Sequence, residues 1–98
     1  MSTTLEIGRF SVRAGQEQEF LAKRTAMLKA SKEHFPGLID ATLAKLDDGT
    51  YVDIVLWETR DACHAAFEQA ENVAAVAEWL AHVDSDLEMI FGHVVDAA

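Results

Sequence analysis

The stretch from Thr50 to Glu58 carries large apolar side chains at both of its alternating parities, with Val52, Ile54 and Leu56 at one and Tyr51, Val55 and Trp57 at the other. Consecutive side chains of a strand point to opposite sides of its sheet, so a segment patterned this way wants cover above and below. One layer of helices covers one face only. A second copy of the chain is the simplest cover for the other, because a symmetric contact uses one apolar patch twice and an uncovered patch invites aggregation. A homodimer is therefore expected. Withdrawing three such side chains from water is worth on the order of several kcal/mol per subunit before the cost of association.

The neighbouring segments organise around that strand. Leu5 to Val12 mixes Leu, Ile, Phe and Val with polar residues over a strand-sized length, and Ala14-Gly15 ends it. From Gln16 to His34 helix formers dominate, and Phe20, Leu21, Met27, Leu28 and Phe35 fall close to one helical face. Glu17 and Glu19 open this helix while Lys29 and Lys32 lie near its end, the order that the helix dipole favours. Pro36-Gly37 stops it. Leu38 to Leu46 and Thr50 to Glu58 flank Asp47-Asp48-Gly49, a hairpin signal because tight turns need positive φ angles that Asp and Gly tolerate. Thr59 can cap a second helix with a narrow stripe of Ala62, Cys63, Ala66, Phe67 and Ala70. Val73, Val76, Leu80 and Val83 continue a helical period, read as a separate short helix capped by Asn72. Asp84-Ser85-Asp86 is a polar loop, Leu87 to Val95 a fourth strand, and Asp96 to Ala98 a frayed tail. The order β-α-β-β-α-β is the ferredoxin-like α+β arrangement, in which right-handed crossovers put the helices on one face of a four-stranded antiparallel sheet.

Residues 1–98 allow one domain with one core, and half of them are hydrophobic. A net charge of -9, from 17 acidic residues against 8 Lys+Arg, repels a phosphate backbone or an anionic bilayer. The basic residues are scattered, so no nucleic-acid partner is expected. No run approaches the roughly 18 apolar residues of a spanning helix, and the first residues lack a basic start with a long apolar stretch. A cytoplasmic protein with no membrane partner is the expectation. Cys63 is the lone cysteine, which rules out an internal disulfide and reads as a buried free thiol. His34 and His64 read as surface residues and His82 as part of the outer helix; no pair of the four histidines has a metal spacing with a carboxylate. Neither a metal nor a nucleotide-type cofactor is predicted, since phosphate loops and nucleophile elbows are absent too.

Three stretches carry a family likeness: Phe10-Ser11-Val12-Arg13-Ala14-Gly15-Gln16-Glu17 leading to Phe20, then Pro36-Gly37, then the strand from Tyr51 that ends Trp57-Glu58 before Thr59-Arg60-Asp61-Ala62. Together they resemble an antibiotic biosynthesis monooxygenase domain. The resemblance implies a dimeric α+β barrel whose two sheets meet face to face, each subunit keeping a pocket between its own sheet and helices. It also implies a cofactor-independent oxygenase acting on an aromatic or quinol-like molecule. The alternative is a non-catalytic dimer of the same shape, a stress-response or small-ligand-binding protein. Many relatives carry a pocket-facing His on the second helix, where this chain has Ala66 and Phe67. The haem-degrading branch carries an Asn in the first strand; Leu5, Ile7 and Arg9, read at that parity, argue against haem chemistry here.

Within that frame, Trp57 either stacks on a flat apolar or aromatic ligand or packs in the core, and Phe67 and Tyr51 join it as ring-binding candidates. Asp53 shares the parity of Tyr51, Val55 and Trp57 and is the informative charge of its strand. Apolar walls raise a carboxyl pKa, which suits Asp53 to take a proton from a phenol or quinol; the alternative is an ion pair with Arg9 across neighbouring strands, and Arg9 is a second polar candidate for the substrate site. His93, inside an apolar strand, is either a second base or a structural imidazole.

Overall fold

The computed structural model describes residues 3–84 and 87–97. Ser85, Asp86 and Ala98, placed above in a loop and a tail, lie outside the described residues. The elements are β1 (Thr4–Phe10), α1 (Glu17–His34), β2 (Leu38–Lys45), β3 (Tyr51–Trp57), α2 (Arg60–Gln69), a 3₁₀ turn (Ala70–Asn72), α3 (Ala74–Leu80) and β4 (Glu88–His93). The four strands form one antiparallel sheet in the order β2-β3-β1-β4, and the ferredoxin-like fold expected from the sequence is the one adopted.

Register assigns the faces. Trp57, Thr4 and His93 lie in one row across the sheet, Val55, Glu6 and Phe91 in the next, and Asp53, Gly8 and Met89 in a third. Their parity is the helix-covered one: Thr4, Phe10, Tyr51, Val55 and Trp57 are all buried. The opposite parity puts Ile54, Ile7 and Ile90 in a single row, with Val52, Leu56 and Leu5 beside it. Ile54 and Ile90 remain 39% and 53% exposed, so the two-faced pattern of β3 is real and its second face is uncovered by the described residues.

Beneath the helices, Phe10, Phe20, Tyr51 and Trp79 form an aromatic cluster in which the Phe20 and Trp79 rings stack at 4.8 Å and Phe20 meets Tyr51 edge-on at 5.2 Å. Phe20, Met27 and Ser31 are the buried side chains of α1, whereas Leu21 is 48% exposed. Leu21 follows Phe20 by one residue and so points about 100° away, off the buried stripe. Thr59 caps α2 as expected, its hydroxyl accepting from the Ala62 N–H at 3.1 Å. Asn72 does not cap α3: Val73 holds that position, and the Asn72 amide donates instead to Gln69 Oε1 at 3.1 Å. Val12, expected in strand 1, lies beyond it and makes an isolated bridge to Val83. His82 is buried, its ring nitrogens held by Gln16 Oε1 at 2.8 Å and Lys23 Nζ at 2.9 Å, so the segment after α3 is tied to α1.

The Pro36-Gly37 stop has a steric reason. Gly37 sits at φ +94°, and a Cβ added there would stand 2.8 Å from the Ala62 Cβ at the start of α2. Its carbonyl accepts from the Glu58 N–H at 2.8 Å, joining the end of β3 to the start of β2. Gly37→Ala is expected to cost about 1–3 kcal/mol by urea unfolding, since both the left-handed backbone and the contact oppose a side chain. Gly49→Ala, at φ +91° with open space around it, should cost less.

Candidate functional site

Between the sheet and the helices lies a cavity of about 290 Å³. Leu38 and Val55 line it from the sheet, Met27 and Phe35 from α1 and its end, Ala66 from α2 and Val76 from α3. Trp57, Phe67 and Trp79 add aromatic surface. Phe67 is 44% exposed, and its ring meets that of Phe91 edge-on at 5.5 Å.

Three carboxyl-bearing residues line the cavity: Glu6, Asp53 and the exposed Glu71. Asp53 is there for the reason of parity that its sequence position suggests, but its partner is Arg24 of α1. The guanidinium grips both carboxylate oxygens, Nη1 to Oδ2 at 2.7 Å and Nη2 to Oδ1 at 2.8 Å, with the two side chains only 12% and 14% exposed. Arg24 also lies over the Trp79 ring, 5.1 Å from its centroid. Trp79 Nε1 is buried without a hydrogen-bond partner among the described residues.

Arg9 cannot fill the role foreseen for it. It pairs in register with Val52, one residue from Asp53, and therefore points to the opposite face of the sheet, where it bonds Asp48 Oδ2 at 2.8 Å. His93 shares the helix-side parity, but β4 is an edge strand and the residue is exposed and outside the cavity lining. Tyr51 has the parity of Trp57 and sits at the far end of the strand, in the aromatic cluster rather than the cavity wall. Its hydroxyl donates to Glu17, and burial pushes its pKa to about 12, with the Glu17 bond adding to that. Trp57 and Phe67 are thus the foreseen ring-binding residues that the structure brings to the cavity, together with Asp53 as a polar neighbour.

Glu6 was missed by sequence reasoning. It stands in the row Val55–Glu6–Phe91 on the helix side, so the pocket-facing parity of β1 is Thr4, Glu6, Gly8 and Phe10, not Leu5, Ile7 and Arg9 as expected. The Trp57 indole N–H donates to Glu6 Oε1 at 2.8 Å, and the Cys63 thiol reaches the same oxygen at 3.6 Å. Burial raises the Glu6 carboxyl above its ordinary range; the bonds from Trp57 and Cys63 pull it back in part, and the charge of Asp53 pushes it up again. Cys63 itself is pushed to about 12, first by burial and then by Glu6, which favours the neutral thiol that donates to Glu6. Among the described residues no group of three or more His, Cys, Asp or Glu is placed to hold a metal ion, and no helix is long and apolar enough to cross a membrane.

Known proteins share this fold. Residues 4–86 match the family described as antibiotic biosynthesis monooxygenase. Among solved structures, SnoaB from Streptomyces nogalater, a cofactor-independent oxygenase, superposes with a TM-score of 0.70 at 21% identity, covering 100% of this chain and 96% of that one. Rv0793 from Mycobacterium tuberculosis gives 0.74 at 18% identity, with 99% of each chain covered. A conserved protein from Methanosarcina mazei Go1 gives 0.74 at 12% identity, over 94% of this chain and 92% of that one. At such identities the likeness is one of fold. No curated protein sequence matches significantly.

Proposed function

The chain belongs to the antibiotic biosynthesis monooxygenase family, and from that premise we propose that it oxygenates a small, weakly acidic aromatic molecule with dioxygen, without a metal or organic cofactor. The observation that carries this reading is the cavity itself: a space of about 290 Å³, walled by apolar and aromatic side chains, with carboxyl groups on its sheet side. That volume stands at the lower end of the range for small-molecule sites and suits a compact ring system. Trp57 and Phe67 supply ring surface, and the carboxyl groups disfavour an anionic ligand. Deprotonation of an electron-rich ring in a dry cavity gives an anion that reacts with oxygen directly. For a ring methylene the balance is simple: carbon loses two hydrogens, dioxygen is the oxidant, one oxygen atom becomes the ketone and the other leaves as water.

The same reading includes a second subunit. Ile7, Ile54 and Ile90 form an apolar row on the face that the helices leave bare, and a twofold partner laying its own row there removes both from water.

Oxygen uptake with a panel of hydroquinones and anthrones tests the activity, with quenching of Trp fluorescence as an independent measure of binding. Saturable uptake above the spontaneous rate is expected for at least one panel member. Quenching without uptake would assign the cavity to ligand binding alone; neither signal with any member would remove the proposal.

A further inference from the structure

We infer that Glu6 is the group that takes the proton from the molecule bound in this cavity. The inference rests on the oxygenase reading above and names a residue that this reading leaves open. Four observations converge on it.

The first is position. Glu6 lines the cavity from the central strand β1, between Val55 on one side and Phe91 on the other, so a ring lying against Trp57 and Phe67 has this carboxyl within the wall that it touches. The second is orientation. Trp57 Nε1 and Cys63 Sγ both donate to Oε1, and among the described residues no hydrogen bond falls on Oε2. One oxygen anchors the group and the other is left to receive a proton. The third is the state of the alternatives. Both oxygens of Asp53 are held by Arg24, so taking a proton there would break a nearly buried ion pair. No histidine lines the cavity. The fourth is the surroundings: apolar walls make a charged carboxylate costly, so transfer of a proton to it relieves the cost of keeping a charge there.

Among the described residues the titratable groups around Glu6 are few. Asp53 approaches from β3, with its charge countered by Arg24 from α1; Cys63 comes from α2 as a neutral thiol; Glu71 lines the cavity from the 3₁₀ turn. In the step itself a C–H or O–H bond of the bound molecule breaks, its electron pair stays on the ring, and a new O–H bond forms at Glu6 Oε2. The indole and thiol donors remain on Oε1 throughout. After dioxygen has added to the anion, Glu6 returns the proton to the terminal peroxide oxygen; the remaining C–H bond then breaks as the O–O bond does, its electron pair forms the ketone, and the departing hydroxide takes up that second proton as water, so the carboxylate is restored at the end of the cycle.

The experiment compares wild type and Glu6→Gln for oxygen uptake and for quenching by the panel member that the wild type turns over. Gln keeps an oxygen that accepts from Trp57 and has none that takes up a proton near neutral pH. Quenching within about threefold and turnover lowered at least a hundredfold are expected, the scale at which a general base contributes. Turnover within about fivefold of wild type would overturn the assignment. Cys63→Ala supplies a second reading that does not require the first variant to fold. It removes a donor that holds the carboxylate form, so the acid limb of the pH dependence of kcat/KM should move to higher pH; an unmoved limb would count against Glu6. Absence of uptake in the wild type defeats the underlying reading, and the role of Glu6 with it, before any variant is made.

Discussion

Arg24→Met should lose about 3 kcal/mol of stability, seen as a urea midpoint lowered by roughly 1–3 M with an unchanged slope. The size follows from what remains. Asp53 sits between Gly8 and Leu43 in the sheet, on the helix-covered side, and without the guanidinium its carboxylate stays in a poorly hydrated wall with neither oxygen bonded. An exposed pair would forfeit about 1 kcal/mol or less, but these side chains are 12% and 14% exposed, and truncating one member of a buried pair costs far more than the pair is worth against apolar replacements. The comparison that separates the two is the double variant Arg24→Met/Asp53→Leu. It should recover most of the loss, because no unpartnered charge is left and the replacements can pack against Trp79 and the cavity wall. A single variant that costs under about 1 kcal/mol would show that water reaches Asp53 freely.

That pair also shows where sequence reasoning stops. The hairpin at Asp47-Asp48-Gly49 and the stop at Pro36-Gly37 are local: both depend on backbone angles that the residues themselves set, and both appear where the sequence puts them. The parity of Asp53 is local as well. Its partner is not, because parity within one strand says nothing about the register of its neighbour. Arg9 lies opposite Val52, and that one-residue offset sends it to the other face. Arg24 comes from a helix, and only the packing of α1 on the sheet brings it within reach. Distance along a strand is equally hidden in parity: Tyr51 and Trp57 share a face, yet six residues at about 3.3 Å each hold them some 20 Å apart.

Glu6 was hidden for a more instructive reason. In β1 the apolar parity is Leu5 and Ile7, and the weaker one is Thr4, Glu6, Gly8 and Phe10. Read as an isolated strand, the first set belongs under the helices. In the fold it is the second set that lies there, because the apolar parity of β1 joins that of β3 on the uncovered face. The signal that could have found Glu6 is the combination of the two strands: if β3 needs cover on both sides, the stronger apolar parity of its neighbour can serve the partner, and the polar parity can then serve the cavity. His93 fails in the opposite sense, since an apolar strand suggests burial but β4 closes the edge of the sheet. The same logic makes the bare face and the cavity two sides of one design, in which the central strand β1 gives isoleucine to one and glutamate to the other.

Ile54→Glu is accordingly expected to turn a dimer at micromolar concentration into a monomer by sedimentation velocity, while the isolated subunit keeps its fold. Ile54 stands beside Ile7, the middle member of the row, and is 39% exposed in the single chain, so association across this face would remove the rest of its surface from water. A contribution of about 2 kcal/mol per side chain, lost in both subunits by symmetry, amounts to about 4 kcal/mol, or roughly a thousandfold in Kd. The introduced carboxylates add to that loss, since each must be desolvated in an apolar contact and the twofold relation brings the pair towards each other. Val95→Glu is the matching control: Val95 is 87% exposed and lies beyond the end of β4, so a charge there should leave the association unchanged. Wild type that sediments as a monomer, or Ile54→Glu that remains dimeric, would leave the apolar row without the partner that its two-faced neighbour strand demands.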